Sequence, residues 1–318
     1  MWGVDEQRLV WTAPGTAAHL MDLPRDVRAR LEVAEIPADP LRHPRLPEVR
    51  ALVPPLVRNQ GDDDYDLKKL MASAPALSLV QALTAGVDWI VDQVPAEVTL
   101  CSVRGAYDDM MAELLLAGIL ALYKEFPHHV TAQARGRWEP RQVRLLGGSR
   151  VLFVGYGSIA ECLERYLEPF GVDVRRVARK PREGVDGISE LSVLLPGADI
   201  VVVLTPLTAQ THGLIDEEFL TLMKPGALLV NGARGLVADT GALVAAAERG
   251  KVRAFLDVTD PEPLPEGHPL WSSPGVFITP HIGSLVPENR ERAFAVVRDN
   301  LVRWARGEPL RNVVIGEY

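Results

Sequence analysis

Three short segments hold residues able to bind a small anion and move a proton on it. The first is Asn231-Gly232-Ala233-Arg234-Gly235. A guanidinium held in place presents a planar fork that captures a carboxylate through two parallel hydrogen bonds. The second is Leu256-Asp257-Val258-Thr259-Asp260-Pro261-Glu262-Pro263, with three carboxylates within six residues. Its prolines stiffen the chain and help to aim a side chain. The third is Thr279-Pro280-His281-Ile282-Gly283-Ser284. Imidazole exchanges protons near neutral pH, and the acidic residues upstream can pair with it. Each segment also has a plain reading. Arg234 fits a surface place in a glycine-rich loop. The carboxylates fit a solvated acidic turn, and a lone histidine is more often structural.

A fourth segment could hold a dinucleotide. The apolar run Val151–Val154 is followed by Gly155-Tyr156-Gly157-Ser158-Ile159-Ala160. Helical spacing then links Ile159, Leu163, Tyr166, Leu167 and Phe170, and stops at Gly171. Val172, Val174 and Val177 open a second strand. Gly155 permits the tight turn, Gly157 lets backbone N–H groups approach a pyrophosphate, and Ala160 lets the helix sit close to the strand. The helix start at Ser158 and Ile159 adds partial positive charge. Gly-x-Gly also occurs as an ordinary tight turn. Here strand, turn, helix and strand follow in the order that a dinucleotide-binding βαβ unit requires.

The elements that must position these segments alternate along the chain. After the first strand the pattern predicts strands at Asp199–Leu204, Ala227–Asn231, Arg253–Val258 and Val276–Thr279. Asp216 and Asp239-Thr240 read as helix caps, with the second helix ending at Gly250. Arg234, the acidic segment and His281 each come just after a strand, where ligands gather in an open parallel sheet.

Residues 1–104 predict a smaller parallel α/β domain. Its strands are Leu9–Trp11, Leu31–Ile36, Val49–Val53, Leu77–Val80 and Val98–Cys101, with a helix at Asp64–Ser73. The loop Leu83-Thr84-Ala85-Gly86-Val87-Asp88 offers backbone N–H groups to a ligand, or is a structural turn. Asp108–Phe126 reads as one long helix, apolar around most of its circumference and so buried between domains or subunits. Arg135–Arg144 is polar, and an amphipathic helix covers Pro287–Arg306. The expected division is a discontinuous domain of residues 1–104 plus 285–318, interrupted by residues 105–284.

Bulk properties narrow the partners. The 318 residues carry a net charge of −8 and are 47% hydrophobic. That length supports two cores, and that charge argues against a nucleic-acid or anionic-membrane surface. Cys101 and Cys162 are too few for a disulfide framework or a zinc site, so no metal is expected. No signal peptide or membrane-spanning run is visible, which predicts a cytoplasmic protein.

Taken together, Arg234, Glu262 and His281 behind a glycine turn resemble the D-2-hydroxyacid dehydrogenase family. The resemblance extends over nearly the whole chain and is strongest from Val151 to Ser284. The first domain shares mainly Leu83–Trp89, and the long helix shares Ala112-Glu113. Asp260 stands where many members have Glu, and Leu114 where many have His.

The resemblance implies two Rossmann-like parallel-sheet domains, the nucleotide-binding one inserted into a flavodoxin-like substrate domain. It implies that Arg234 binds the carboxylate of a 2-oxo acid and polarises its carbonyl. His281 is then the general acid in reduction and the general base in oxidation, and Glu262 favours its protonated form. Asp257 would face the nicotinamide carboxamide and Thr205-Pro206 the nicotinamide ribose. Ala233 and Gly283 would also touch the cofactor, and backbone N–H groups at Ala85-Gly86 would hold the substrate carboxylate. Domain closure would exclude water from the hydride path. A homodimer through the nucleotide-binding domains is implied too, with a Trp near Trp138 reaching the partner's site. Trp271 could line the pocket, with core packing as the plainer role.

The second strand of the βαβ unit bears on the cofactor. NAD enzymes place an acidic residue at its end to bind the ribose hydroxyls. Here that place is Ala178, followed by Arg179, Lys180 and Arg182. The basic cluster predicts a preference for NADP(H), with NAD(H) possible. Preference for NADPH and the short chain point toward glyoxylate/hydroxypyruvate reductase activity. Glu262, where formate dehydrogenase has Gln, argues against that enzyme. The competing readings are a nucleotide-sensing, corepressor-like binding protein and a related phosphoglycerate or phosphite dehydrogenase.

Overall fold

The structure is a computed structural model that describes residues 7–55 and 66–315. Contacts divide the chain into two compact units, Met1–Tyr107 with Val286–Tyr318, and Asp108–Leu285.

The first unit is a five-stranded sheet in the order β2-β1-β3-β4-β5. Its elements are β1 (Arg8–Thr12), α1 (Arg25–Arg28), β2 (Leu31–Glu35), β3 (Val49–Val53), α2 (Leu67–Ala72), β4 (Leu79–Gln81) and β5 (Thr99–Cys101). All its pairings are parallel, giving the flavodoxin-like strand order. Strand side chains alternate between faces. Leu9 and Trp11 of β1 therefore pack with Leu67, Leu70 and Met71 of α2. Val10 faces the other side, with Val27 of α1 and with Phe294, Val297 and Leu301 of the chain's last helix, Asn289–Arg306. The carboxylate of Asp66 caps α2 by accepting from the Lys69 N–H. The first two residues of the helix expected at Asp64–Ser73 lie outside the described residues.

The second unit begins with α3 (Asp108–Tyr123) and α4 (Phe126–Ala134). It continues with β6 (Arg150–Val154), α5 (Ser158–Leu167), β7 (Asp173–Ala178), β8 (Asp186–Gly187), α6 (Leu191–Leu194) and β9 (Ile200–Val203). It closes with α7 (Glu217–Leu222), β10 (Ala227–Asn231), α8 (Thr240–Glu248), β11 (Val252–Leu256) and β12 (Val276–Ile278). The helix at the end of the first unit's chain is α9 (Asn289–Arg306).

The seven strands of the second unit run β12-β11-β10-β9-β6-β7-β8, with every pairing parallel. Odd and even positions of the strands serve two cores. Val151, Phe153, Val202, Val230 and Phe255 pack against α3 and α5. Leu152, Val154, Val203, Leu229 and Leu256 pack against α6, α7 and α8. Strand order reverses between β6 and β9, so a crevice at their carboxyl ends is the natural ligand site.

The helix expected to run unbroken over Asp108–Phe126 is corrected by the structure. α3 ends at Tyr123, Glu125 takes the left-handed conformation with φ 56°, and α4 starts at Phe126. Pro127 sits in the first turn of α4, where its missing N–H costs nothing. Trp271 is also corrected: it is 52% exposed, not part of a core, and its ring N–H donates to the Pro265 carbonyl. Among the described residues no helix is long and apolar enough to cross a membrane.

Candidate active site

Because the strands are parallel, the loops that leave their carboxyl ends lie along one edge in strand order. His281 follows β12, Asp257 and Glu262 follow β11, and Arg234 follows β10. Thr205 follows β9, the glycine turn follows β6, and Arg179 and Lys180 follow β7. The acid–base candidates thus occupy one half of the edge and the nucleotide candidates the other.

The histidine and its carboxylate are in contact. His281 Nδ1 lies 2.6 Å from Glu262 Oε1. A carboxylate only accepts, so Nδ1 carries the hydrogen of this bond and Nε2 is the nitrogen turned to other work. Both side chains are partly open to solvent, 43% and 40% exposed.

Arg234 is held from behind. Its carbonyl accepts from Asn231 Nδ2 at 3.0 Å, and Asn231 Oδ1 accepts from the Ala233 N–H at 3.0 Å. Asn231 is 1% exposed, so the last residue of β10 is a buried brace for the arginine loop. The guanidinium Nη1 donates to the Ala233 carbonyl at 2.8 Å. Gly235 follows, and a Cβ there would fall 1.9 Å from the Thr259 carbonyl oxygen. The arginine loop therefore rests directly on the acidic segment.

Asp257 is bound to the loop of His281. It is 1% exposed and accepts from Thr279 Oγ1, Ile282 N–H and Gly283 N–H. Gly283 is tightly packed. A Cβ there would meet Met111 Cε at 2.4 Å and Asp257 Oδ2 at 3.0 Å.

The other half of the edge fits a dinucleotide. A Cβ at Gly155 would meet the Leu204 carbonyl carbon and the Thr205 nitrogen at 2.6 Å, so the turn after β6 touches the end of β9. Gly155 has φ 92°, which favours glycine. A Cβ at Gly157 would meet nothing within 4 Å, which leaves open space beside the start of α5 at Ser158 and Ile159. Thr205 Oγ1 is buried with no hydrogen-bond partner in the chain. A buried hydroxyl of that kind calls for a polar partner from elsewhere. Pro206 beside it is exposed.

Sequence reasoning did not find what holds the glycine turn. Tyr156 Oη donates to Glu164 Oε2 at 2.6 Å, and Arg176 pairs with the same carboxylate. Arg182 Nη2 donates to the Tyr156 carbonyl at 2.8 Å, and its guanidinium lies 5.6 Å from the Tyr156 ring centre. Arg182 is thus engaged with the turn, while Arg179 and Lys180 are exposed just past β7. Burial raises the Glu164 carboxyl, but bonds from Arg176 and Tyr156 outweigh it and hold the group below its usual range.

In the first unit, the loop after β4 that carries Ala85 and Gly86 is tied down on both sides. Trp89 Nε1 donates to Thr84 Oγ1 at 2.9 Å, and Tyr107 Oη donates to the Leu83 carbonyl at 2.7 Å. Cys101 and Cys162 are buried free thiols, and burial pushes Cys101 up to about 12, which removes it as a nucleophile near neutral pH. Among the described residues no group of His, Cys, Asp and Glu is arranged to hold a metal ion.

Comparison with known proteins adds names to this geometry. A family model described as D-isomer specific 2-hydroxyacid dehydrogenase, NAD binding domain, matches residues 116–283. Glyoxylate/hydroxypyruvate reductase A of Serratia proteamaculans (strain 568) is 32% identical over 266 residues, which span 76% of this chain and 83% of that protein. The chloroplastic/mitochondrial formate dehydrogenase of Arabidopsis thaliana is 31% identical over 258 residues, spanning 76% and 67%. The crystal structure of a D-isomer specific 2-hydroxyacid dehydrogenase from Xanthobacter autotrophicus Py2, in complex with NADPH and MES, superposes with a TM-score of 0.81. It is 32% identical and covers 97% of this chain and 98% of that one.

Proposed function

The chain belongs to the D-isomer specific 2-hydroxyacid dehydrogenase family, and from that premise we propose an NADPH-preferring reductase of a small 2-oxo acid of the glyoxylate or hydroxypyruvate type. As a family member it is an oxidoreductase that uses a nicotinamide cofactor and acts on the CH–OH group of a 2-hydroxy acid. The observation that carries the finer reading is the His281–Glu262 hydrogen bond, formed by loops at the carboxyl ends of two neighbouring strands beside Arg234.

The residues divide the work as follows. Arg234 binds the substrate carboxylate and polarises the adjacent carbonyl. Glu262 holds the Nδ1 hydrogen of His281, so Nε2 delivers a proton to the carbonyl oxygen in reduction and removes it from the alcohol in oxidation. Bound reduced nicotinamide supplies the hydride that the carbonyl carbon accepts. Negative charge grows on that oxygen as the carbonyl is reduced, and the cationic Arg234 with a protonated His281 stabilises it. Formate oxidation moves no proton on oxygen, so a His–Glu pair has no task there.

Gly155, Gly157, Ser158 and Ile159 hold the pyrophosphate, and Thr205 and Pro206 the nicotinamide ribose. The orphaned hydroxyl of Thr205 supports this assignment. Ala233, Asp257 and Gly283 belong to the same proposed set of cofactor contacts. Arg179 and Lys180, with Ala178 in place of an acidic residue, favour the 2′-phosphate of NADPH. The bound NADPH of the Xanthobacter relative points the same way.

A homodimer through the nucleotide-binding unit is part of this reading. α4 and the segment after it expose Phe126, Val130, Trp138 and Leu145, with Trp138 96% exposed. A run of large apolar side chains on one stretch marks an association surface. Light scattering on the purified protein tests it, and a monomer at micromolar concentration refutes it.

A panel of 2-oxo acids with each cofactor tests the activity. Reduction of glyoxylate or hydroxypyruvate with NADPH is expected. Cofactor binding without turnover would favour a sensor, and oxidation of phosphite or 3-phosphoglycerate would favour a related dehydrogenase.

A further inference from the structure

The loop that carries His281 leaves β12 along a path an unassisted chain avoids. His281 has φ 52°, in the left-handed region that disfavours residues with a side chain. One residue at the end of the neighbouring strand holds it there. Asp257 Oδ1 accepts from Thr279 Oγ1 at 2.7 Å and from the Ile282 N–H at 2.9 Å. Asp257 Oδ2 accepts from the Gly283 N–H at 3.0 Å. The Asp257 carbonyl accepts the N–H of His281 itself at 2.8 Å. Asp257 thus grips residues 279, 281, 282 and 283, on both sides of the histidine.

Glu262 makes no such grip. It is 40% exposed and meets His281 only at the ring. It can orient the imidazole only if the backbone beneath the imidazole is already fixed. Asp257 is 1% exposed and two of its three carboxylate bonds go to backbone amides, so it fixes the backbone and leaves the ring to Glu262.

We propose that Asp257 is the positioning residue for His281, locking the left-handed turn that aims Nε2 at the substrate oxygen. The proposal rests on His281 being the proton donor. It gives the buried carboxylate a part in the acid–base half of the site. An amide in place of the carboxylate cannot substitute. All three bonds come from donors to the carboxylate, and either orientation of an asparagine turns its NH₂ toward a backbone N–H.

Asp257→Asn, Thr279→Val and His281→Ala, with the two double variants that include His281→Ala, decide the matter. Glyoxylate reduction is measured at saturating NADPH, and the Kd of NADPH by its fluorescence. Asp257→Asn is expected to lower kcat by about 10²-fold, the lower end of general-acid loss, with glyoxylate KM and NADPH Kd changed less than about threefold. Thr279→Val removes one donor and should lower kcat by several-fold, which keeps the test alive if Asp257→Asn does not fold. In the His281→Ala background neither substitution should lower the residual turnover further, because both act through His281. A weakened NADPH Kd, or undiminished losses in the His281→Ala background, overturns the positioning role and leaves the proton donor intact. Near-normal turnover of His281→Ala alone overturns the proton-donor reading, and the positioning role falls with it.

Discussion

Gly235 sits so close to Thr259 that a Cβ on the glycine would lie 1.9 Å from the Thr259 carbonyl oxygen. This contact joins the loop of Arg234 to the segment that leads to Glu262. Thr240 Oγ1 reinforces the join by donating to the Asp260 carbonyl at 2.8 Å. The side chains proposed to bind the carboxylate and to orient the acid are therefore spaced by backbone packing. Gly235→Ala must push the two loops apart. Overpacking of this kind costs about 1–3 kcal/mol of stability. A shift near 1 Å in a reacting group costs about 10²-fold in rate. Folded Gly235→Ala is thus expected to lose about 10²-fold in kcat/KM for the 2-oxo acid. Thermal melting and steady-state kinetics check this together, and wild-type kinetics would show that the spacing does not matter.

Glu262→Gln isolates the charge of the pair. Glutamine can still accept from Nδ1 through its oxygen, so the ring stays oriented, but no carboxylate faces it. Hydrogen bonds to charged groups are worth about 1.5–3 kcal/mol. Turnover in reduction should fall by roughly 10–10²-fold, with NADPH binding unchanged. If Glu262→Gln reduces glyoxylate at the wild-type rate, Glu262 has no part in the proton transfer.

The strands were legible in sequence because their side chains alternate between two apolar cores, as Val151 and Leu152 do. The caps were legible because an Asp placed just before a helix has one useful partner. Asp216 accepts from the Phe219 N–H and Asp239 from the Ala242 N–H. The break at Glu125 was not legible, since glutamate seldom adopts positive φ and apolar spacing runs on through Phe126. Pro127 was the one local sign of a new helix start. Pairings between elements stayed hidden because they depend on sheet order. Glu164 on α5 meets Arg176 on β7, and Asp257 reaches Gly283, 26 residues on. That an upstream carboxylate could pair with His281 was legible, the choice of Glu262 among the three followed from the family resemblance, and the bond length came from the folded loops.

Cofactor choice has a one-residue test. Ala178 ends β7, where an acidic side chain would face the adenosine ribose. Ala178→Asp adds a charge that repels a 2′-phosphate and accepts from ribose hydroxyls. The KM for NADPH should rise by at least about tenfold, the equivalent of 1.4 kcal/mol, while the KM for NADH falls. Michaelis constants for both cofactors in wild type and variant check this. A wild type that prefers NADH removes the premise.

The network beneath the glycine turn gives a pH dependence whose sign can be worked out. Glu164 is raised by burial and lowered more by Arg176 and Tyr156, so its folded pKa lies below the ordinary 4.5. A carboxyl with a depressed folded pKa binds its proton more readily when unfolded. Its stabilisation is therefore full above pH 4.5 and is lost as pH falls through the folded value. Glu164→Gln removes that dependence. At neutral pH the variant should melt lower, by about 2–4 °C for each kcal/mol lost in a unit of this size. Below pH 4.5 the gap between wild type and variant should close. Melting curves across pH with both proteins decide it, and a gap that stays constant down to the acid limb would mean that Arg176 and Tyr156 draw nothing from the charge on Glu164. Tyr156 stands between the two glycines of the turn, so the same variant should bind NADPH more weakly at neutral pH, where fluorescence titration reads the loss directly.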